Sequence, residues 1–294
     1  MPPEPTGQTR EPFATGEAHM TPITATATPD YSAIKAKQNA AWSSGDYSRI
    51  GVTLQIVGES LAETMDLRPG ASVLDVAAGN GNATLAFARR MCVVTSTDYV
   101  DTLLARGRAR AEAEALDVRY EIADAEQLHY DDGTFDGVVS TFGVMFAPNQ
   151  DKAASELLRV CRPNGKIGLA NWTPAGFTGE VFRTLGKHVA PPIGLSSPAR
   201  WGTESWITQA FGPHARAIAI EHKAFVFRYP SPEAFIDVFR AFYGPIHKAF
   251  LTLDTNGQAA LTGDLLDTIA RFNTATDGSL RAPSDYAEIV IVKA

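Results

Sequence analysis

The stretch VLDVAAGNGNAT (residues 73–84) runs from a continuous apolar segment through a tight loop of small residues into the start of a helix. Gly79 and Gly81 allow a backbone turn that residues with a Cβ resist, and they let a ligand approach the main chain closely. A helix that begins near Asn82 offers free N–H groups and the positive end of its dipole. The stretch therefore predicts a nucleotide-type ligand at the carboxyl end of a buried strand over residues 72–77.

A glycine loop of this kind occurs in nicotinamide, flavin and S-adenosylmethionine (SAM) proteins alike, and two residues separate these classes. Asp75 ends the first strand, where a carboxylate repels a dinucleotide pyrophosphate but suits the ammonium group of a methionine moiety. Thr84 stands where the dinucleotide pattern calls for a third small residue. Both departures favour SAM over a dinucleotide. The loop residues expected to contact the ligand are Ala77, Gly79, Asn80 and Gly81.

Two further acidic residues follow the next two predicted strands. Asp98 comes about 20 residues after the glycine loop, where an acid binds the ribose hydroxyls, and Tyr99 beside it is also expected to contact the cofactor. Asp124 can accept a hydrogen bond from an adenine amino group, and Ala125 can offer its backbone N–H to the ring. The alternatives are a helix N-terminal aspartate at position 98 and a capped turn at position 124.

Around this loop, apolar runs alternate with helical patterns. Strands separated by helices predict a parallel sheet with right-handed crossovers. The predicted fold class is therefore α/β: a doubly wound, Rossmann-like, mostly parallel seven-stranded sheet. The strands are expected over residues 72–77, 92–97, 118–123, 135–141 and 166–170, within 215–229, and over 286–292. Helices are expected over residues 32–42, 48–66, 82–90, 100–115, 154–161, 177–190 and 203–211.

The pattern divides the chain into five segments. A tail rich in Pro, Thr and Ala has no apolar period and is expected to be disordered. N-terminal helices, a SAM-binding Rossmann-like core, a helical cap inserted before the last strand, and that strand itself follow. Because such an insertion often covers a substrate site, we expect residues 232–275 to form the acceptor pocket. The five segments are residues 1–30, 31–69, 70–230, 231–284 and 285–294.

Residues 70–172 resemble the core of the class I SAM-dependent methyltransferases, in the subgroup similar to ubiquinone/menaquinone-biosynthesis C-methyltransferases (methyltransferase type 11). The combination of motifs carries the resemblance, and no single motif does. Ala77 stands where the family loop has its first glycine, and Asn164 stands where glycine is usual. The resemblance implies SAM as the cofactor and methyl transfer as the activity. The matching segments are Leu74–Gly81, Asp98, Asp124–Ala125, Phe135–Asp136 and Leu158–Gly165.

The same resemblance implies that the N-terminal helices fold over the cofactor. Within this cover, Tyr47 is either a ligand of the methionine carboxylate or a packing aromatic. Thr141 and Phe142 follow the fourth strand and are expected to border the sulfonium and the acceptor, where an aromatic face attracts a cation. The residues expected in the cover are Trp42, Gly45, Asp46 and Tyr47.

The segment Ser140–Gly143 lacks the Asn/Asp-Pro-Pro-aromatic sequence that enzymes methylating adenine or glutamine amino groups carry there. We therefore expect a small-molecule acceptor, and the methylated atom (oxygen, nitrogen, carbon or sulfur) stays open. An oxygen or carbon acceptor would need a base, whereas an amine or thiol would need none beyond water. No catalytic residue is identified, and the candidates for a base are His188, His247 and Tyr243. Tyr243 and Trp201 are also candidates for pocket walls.

Composition restricts the class of partner. The net charge of −7 repels phosphate backbones, so nucleic acid is not expected. The two cysteines, Cys92 and Cys161, lie in apolar segments and are expected to be buried thiols in a reducing compartment. No Cys/His cluster has metal-ligand spacing, so no metal is expected. Without a long apolar run or a signal pattern, we expect a cytoplasmic protein that does not bind a membrane.

The sequence alone leaves two other functions open. One is a non-catalytic SAM-binding regulatory or assembly protein, which would keep the same cofactor motifs. The other is an NAD-dependent oxidoreductase, which Asp75 disfavours. No residue pattern encodes the oligomeric state, for which a homodimer is one candidate.

Overall fold

Seven strands form one sheet in the computed structural model, which describes residues 29–294 together with Met1 and Pro3. The first five strands pair in parallel, and the last strand runs antiparallel to the fifth and sixth. This arrangement confirms the predicted α/β, mostly parallel, seven-stranded Rossmann-like fold. The strands are β1 (Ser72–Val76), β2 (Val93–Asp98), β3 (Val118–Ile122), β4 (Phe135–Thr141), β5 (Cys161–Trp172), β6 (Ala215–Tyr229) and β7 (Leu280–Lys293).

The spatial order of the strands is β3-β2-β1-β4-β5-β7-β6. β1 lies in the interior of the sheet, and three of its apolar side chains, Val73, Leu74 and Val76, are at most 1% exposed. Both faces of such a strand are covered, which explains the continuous apolar run in the sequence. The strand order reverses between β1 and β4, so a crevice is expected at the carboxyl ends of these two strands.

Eleven α-helices are present in the described part of the chain. α1 to α3 precede the sheet, α4 to α8 lie between strands, and α9 to α11 form the insertion between β6 and β7. The helices are α1 (Tyr31–Ser44), α2 (Ser48–Gly51), α3 (Gln55–Met65), α4 (Asn82–Arg89), α5 (Asp101–Ala113), α6 (Gln150–Val160), α7 (Phe177–His188), α8 (Glu204–Phe211), α9 (Pro232–Phe242), α10 (Gly244–Thr252) and α11 (Thr255–Phe272).

Three predicted boundaries differ from the structure. The last strand begins at Leu280 and not at residue 285, because β7 pairs with β6 along its whole length, up to Tyr229 opposite Leu280. The helix predicted over 48–66 is interrupted by a 3₁₀ turn, Val52–Leu54, between α2 and α3. β5 extends from Cys161 to Trp172, beyond the predicted 166–170. The predicted tail, residues 1–30, falls almost entirely outside the described residues.

The loop after β3 is fastened to α6 by a buried ion pair. Glu156 is 4% exposed and accepts hydrogen bonds from Leu128 N–H at 2.9 Å and from Arg159 Nη2 at 2.8 Å. Arg159 in turn donates to the carbonyl oxygens of Leu128 at 2.8 Å and Tyr130 at 2.6 Å. The Arg159 guanidinium lowers the pKa of Glu156 to about 2. This pair therefore holds the segment that carries Asp124 and Ala125.

We expect Glu156→Gln to lower the free energy of unfolding by about 2 kcal/mol at pH 7, because Arg159 loses its charged acceptor. A carboxyl whose pKa is lowered by folding stabilises the protein above its unfolded pKa, and that contribution disappears as the pH falls through the folded pKa. The difference from wild type should therefore shrink between about pH 4.5 and pH 2. Urea unfolding at several pH values measures it.

Glu112→Gln is the matched control for this substitution, since Glu112 is exposed and makes no ion pair with a described residue. Its free energy of unfolding should stay at the wild-type value throughout the pH range. A loss for Glu156→Gln that is the same at pH 7 and pH 3 would show that side-chain shape matters at this position, and not the charge.

The described residues contain neither a membrane-spanning helix nor a cluster of metal ligands. No helix among them is long and apolar enough to cross a membrane. Within the same residues, no cluster of three or more His, Cys, Asp or Glu side chains could hold a metal ion.

Candidate cofactor and acceptor site

A cavity of about 870 Å³, including its part open to solvent, lies at the carboxyl ends of the parallel strands. The loops after β1, β2, β3 and β4 form its floor, and residues of α1 cover it. It therefore occupies the crevice expected from the strand order. The residues that line it include Lys35, Gln38, Trp42, Tyr47, Ala77, Gly79, Asn80, Asp98, Tyr99, Asp124, Ala125, Thr141, Phe142, Gly143 and Phe146.

The glycine loop forms one wall through its main chain. Gly79 has φ +57°, and a Cβ there would lie 3.8 Å from the Tyr47 ring. Asn80 is 2% exposed, and its Nδ2 has no hydrogen-bond partner among the described residues. Gly81 has φ +84° and does not line the cavity, so its contact with the ligand stays a prediction. It turns the chain into α4, and only glycine adopts this φ without strain.

Asp75 does not line the cavity, and its contact with a ligand ammonium stays a prediction. Its Oδ2 accepts hydrogen bonds from the N–H of Thr84 at 2.8 Å and from the Thr84 hydroxyl at 2.6 Å. Thr84 at the start of α4 thus engages one oxygen of this carboxylate, while the buried Oδ1 has no hydrogen-bond partner among the described residues. Burial raises the pKa of Asp75 to about 7.

Asp98 lies in the cavity wall and is 4% exposed. Its Oδ2 accepts the N–H of Gly79 at 2.9 Å, and its Oδ1 accepts the N–H of Val100 at 2.9 Å. Each carboxylate oxygen has two lone pairs, so each retains one for another donor. Burial raises the pKa of Asp98 to about 6. The geometry thus leaves two acceptor positions suited to a pair of ribose hydroxyls.

The end of the cavity that contains Asp124 is covered by α1. Lys35 Nζ lies 2.6 Å from Asp124 Oδ2 and 3.1 Å from Glu126 Oε2. The N–H of Glu126 donates to Asp124 Oδ1 at 2.9 Å, so both oxygens of Asp124 already have one donor. Gln38 donates from Nε2 to the Phe146 carbonyl at 3.2 Å, while its buried Oε1 has no partner among the described residues.

These residues fit an adenosyl ligand with a methionine arm, the cofactor that the resemblance implies. Asp98 has free lone pairs for ribose, and Gly79 presents bare main chain to the ligand. Asn80 Nδ2 and Gln38 Oε1 are a buried donor and a buried acceptor that lack partners among the described residues. Buried polar atoms without partners are rare in native proteins, so a polar ligand is the simplest explanation for them.

A second cavity of about 460 Å³, including its part open to solvent, adjoins the first, and we call it the aromatic chamber. We call the first one the cofactor cavity. The two cavities share Trp42, Tyr47, Leu54, Phe142 and Phe146. None of the chamber's described lining residues is Asp, Glu, Lys, Arg or His. The other residues that line it are Ile50, Trp172, Phe177, Thr178, Val181, Phe182, Phe227, Phe235, Phe239 and Tyr243.

Phe142 stands at the junction of the two cavities. Its ring stacks on that of Trp172, with centroids 3.9 Å apart and planes 6° from parallel. Its φ of +56° is unusual for a residue with a Cβ, and its N–H donates to the Ala170 carbonyl at 2.8 Å. Such strained backbone clusters at ligand sites, where the surrounding structure holds it in place. Phe142 lines both cavities, and Thr141 lines the cofactor cavity.

Two of the candidate bases lie outside both cavities, so the structure contradicts their predicted role. His188 Nε2 lies 2.8 Å from Asp264 Oδ2, and His247 Nδ1 lies 2.9 Å from the Arg240 carbonyl on the surface. Trp201 is fully buried against Trp206 and lines neither cavity, so its prediction as a pocket wall is wrong. Tyr243 does line the aromatic chamber.

The insertion contributes to the chamber but does not form it alone. Phe235, Phe239 and Tyr243 come from the insertion, whereas α7 and β6 supply other walls. Of the twelve predicted cofactor contacts, all but Asp75 and Gly81 line the cofactor cavity. Lys35 and Gln38 also line this cavity, and the sequence did not predict them as site residues. Their three-residue spacing places them on one helix face, but nothing in the sequence indicates what that face covers.

Comparisons with known proteins agree with this geometry. A family model described as "Methyltransferase domain" matches residues 73–165. An uncharacterised protein of Mycobacterium tuberculosis H37Rv is 38% identical over 226 residues, which are 76% of this chain and 82% of that protein. Demethylmenaquinone methyltransferase of Deinococcus radiodurans is 30% identical over 173 residues, 58% of this chain and 66% of that enzyme.

Solved structures share this fold. A putative methyltransferase of Bacillus halodurans C-125 superposes with a TM-score of 0.56 at 20% identity, covering 80% of this chain and 98% of that one. At this identity the likeness concerns the fold alone.

Proposed function

The chain belongs to the class I SAM-dependent methyltransferases, and on that premise we propose that it methylates a small, uncharged, ring-bearing acceptor held in the aromatic chamber. The composition of the chamber lining supports this proposal. An ionised group buried there would find no opposite charge among the described lining residues, and an unpaired buried charge costs several kcal/mol. Flat rings, by contrast, pack favourably against the edges and faces of the aromatic walls.

The reaction needs little acid–base help from the protein. SAM supplies a methyl group on positively charged sulfur and leaves as a neutral thioether, so no proton has to be delivered to the leaving group. In this proposal Asp98 holds the ribose and the glycine loop admits the methionine arm. The rings of Trp42, Tyr47 and Phe142 at the junction exclude water and align the acceptor with the methyl group.

Among the described residues that line the chamber, no side chain is suited to act as a general base near neutral pH. Burial raises the pKa of both Tyr47 and Tyr243 above the ordinary tyrosine value. Both hydroxyls therefore keep their protons, whereas an effective base titrates near the working pH. The acceptor should accordingly bring an atom that is already nucleophilic, or lose its proton to solvent before the chamber is sealed.

Hydroquinones are one acceptor of this kind. The Deinococcus relative is named a demethylmenaquinone methyltransferase, which makes a naphthohydroquinone a natural member of a test panel. The panel should also hold 2-naphthol as an uncharged ring, with sarcosine and phosphoethanolamine as charged acceptors of smaller size.

The test is release of S-adenosylhomocysteine and methylated product from methyl-labelled SAM. We expect turnover of uncharged rings and none of the charged acceptors, whereas turnover of charged acceptors alone would overturn the proposal. Phe182→Asp places a charge in the chamber wall and should abolish turnover without changing the affinity for S-adenosylhomocysteine. Leu251→Asp is the matched control, since Leu251 belongs to the insertion but is 63% exposed.

A further inference from the structure

Gln38 of α1 carries a buried hydrogen-bond acceptor that the fold does not use. Its Nε2 donates to the carbonyl oxygen of Phe146 at 3.2 Å, whereas its buried Oε1 has no partner among the described residues. A carbonyl oxygen only accepts, so it holds the NH₂ group of the amide on its own side and leaves Oε1 on the other. Because Gln38 lines the cofactor cavity and buried polar atoms without partners are rare, we expect a bound molecule to supply the missing donor.

Two neighbours of Gln38 on α1 hold this helix against the loops of the cavity. Lys35 Nζ lies 2.6 Å from Asp124 Oδ2 in the loop after β3. Asn39 Nδ2 donates to the carbonyl oxygen of Tyr99 at 2.7 Å in the loop after β2. Since Gln38 itself binds the turn after β4, α1 is attached to three loops at once. The acceptor is therefore in place before a ligand arrives, which lowers the entropy lost on binding.

SAM offers three kinds of hydrogen-bond donor, and one of them suits this position. The ribose hydroxyls match the free lone pairs of Asp98, and the ammonium group belongs to the methionine arm, which we expect along the glycine loop. The 6-amino group of adenine remains. Asp124 is the residue expected to contact adenine, and Lys35, which reaches Asp124, is one helical turn from Gln38. Gln38 thus covers the end of the cavity where the amino group is expected.

We propose that Gln38 determines specificity for adenine, because its Oε1 accepts a hydrogen bond from the 6-amino group of the cofactor. This inference goes beyond the proposed function, which concerns the methyl acceptor. Asp124 is the weaker determinant, since its side chain is 33% exposed and water can replace a hydrogen bond that is lost there. A purine without the amino group leaves the buried Oε1 unpaired, and a site built around a hydrogen bond rejects a ligand that lacks the donor.

The test compares S-adenosylhomocysteine with its 6-desamino analogue, in which purine replaces adenine, by isothermal titration calorimetry. Wild type should bind S-adenosylhomocysteine about 30-fold more tightly than the analogue. Gln38→Met keeps the length of the side chain without its amide, and it should reduce this preference to about threefold. The ratio within one variant cancels any general loosening of the site, which would weaken both ligands alike. Lys37→Met is the matched control, since Lys37 is an exposed residue of the same helix and should keep the wild-type preference.

Asp124→Asn separates the two candidate acceptors and should retain a preference of at least about tenfold, because Gln38 is still present. The inference is overturned if wild type shows no preference, if Gln38→Met keeps the wild-type preference, or if Gln38→Met weakens both ligands equally. Loss of the preference in Asp124→Asn alone would likewise overturn it and assign the amino group to Asp124. All of these results leave the proposed function intact, because no methyl acceptor takes part. Failure of every uncharged ring to react would overturn the proposed function and not this inference.

Discussion

Asp98→Ala should weaken SAM binding by about 100-fold, equivalent to about 2.7 kcal/mol. The carboxylate lines the cavity and keeps lone pairs after its backbone hydrogen bonds, and a hydrogen bond to a charged acceptor contributes about 1.5–3 kcal/mol. The substitution also leaves the N–H groups of Gly79 and Val100 without their acceptor, which loosens the loops that contact the ligand. Isothermal titration calorimetry with SAM and S-adenosylhomocysteine measures the loss.

Two further binding measurements distinguish loss of the ribose contact from a general loss of structure. Asp131→Ala removes an exposed aspartate outside the cavity and should bind SAM as wild type does. At pH 5 wild type should bind S-adenosylhomocysteine about tenfold more weakly than at pH 8, because burial raises the pKa of Asp98 to about 6 and only the ionised form accepts both hydroxyls. Wild-type affinity in Asp98→Ala would show that the ribose assignment is wrong.

Gly143→Ala should lower the free energy of unfolding by about 3 kcal/mol and the melting temperature by roughly 10 °C. A Cβ at this position would lie 2.1 Å from the carbonyl oxygen of Ala77 and 2.9 Å from the Ala77 Cβ. Neither atom belongs to a flexible side chain. Ala77 has φ +53°, and the N–H of the next residue, Ala78, donates to the Thr97 carbonyl at 2.9 Å, so the loop has little freedom to withdraw.

The added methyl group should also damage the cofactor site, since Gly143 and Ala77 both line that cavity. Gly186→Ala is the matched control. Gly186 lies in α7, and a Cβ there would meet no neighbouring atom within 4 Å. Alanine at this position should therefore raise stability by about 0.5–1 kcal/mol through its higher helix propensity. Thermal unfolding and SAM titration of both variants test this pair. Equal melting temperatures for Gly143→Ala and wild type would contradict the close approach of the two loops.

The parallel core and the cofactor end of the site could be predicted because their signals are local. Hydrophobic runs of strand length alternate with helical patterns from residue 72 to residue 170, and residues that follow parallel strands gather at one edge of a sheet. Ala77, Gly79, Asp98 and Asp124 all line the cavity for that reason. The extent of β7 was less predictable, since it depends on pairing with β6 rather than on its own sequence.

Asp75 and Asp98 show what residue type and spacing could not predict. Both are aspartates at the ends of adjacent strands, and the sequence favoured a ligand for each. Asp75 accepts two hydrogen bonds from Thr84 at the start of α4 and does not line the cavity, whereas Asp98 accepts two backbone N–H groups and lines it. Which donors reach a carboxylate first depends on interatomic distances across the loop, and residue type and spacing do not encode these distances.

The sequence by itself determined the fold class, the cofactor and the edge of the sheet where the cofactor belongs. The aromatic chamber was decided only by the tertiary structure. Trp42, Phe142, Trp172, Phe227 and Tyr243 come from the N-terminal helices, two parallel strands, an antiparallel strand and the insertion. The sequence placed Trp42 in the cofactor cover, Phe142 beside the acceptor and Tyr243 among candidate pocket walls. It did not indicate that they meet Trp172 and Phe227 around one chamber. They enclose a chamber because α1, α9 and α10 close over the sheet, and that long-range packing leaves no periodic or motif signal in the chain.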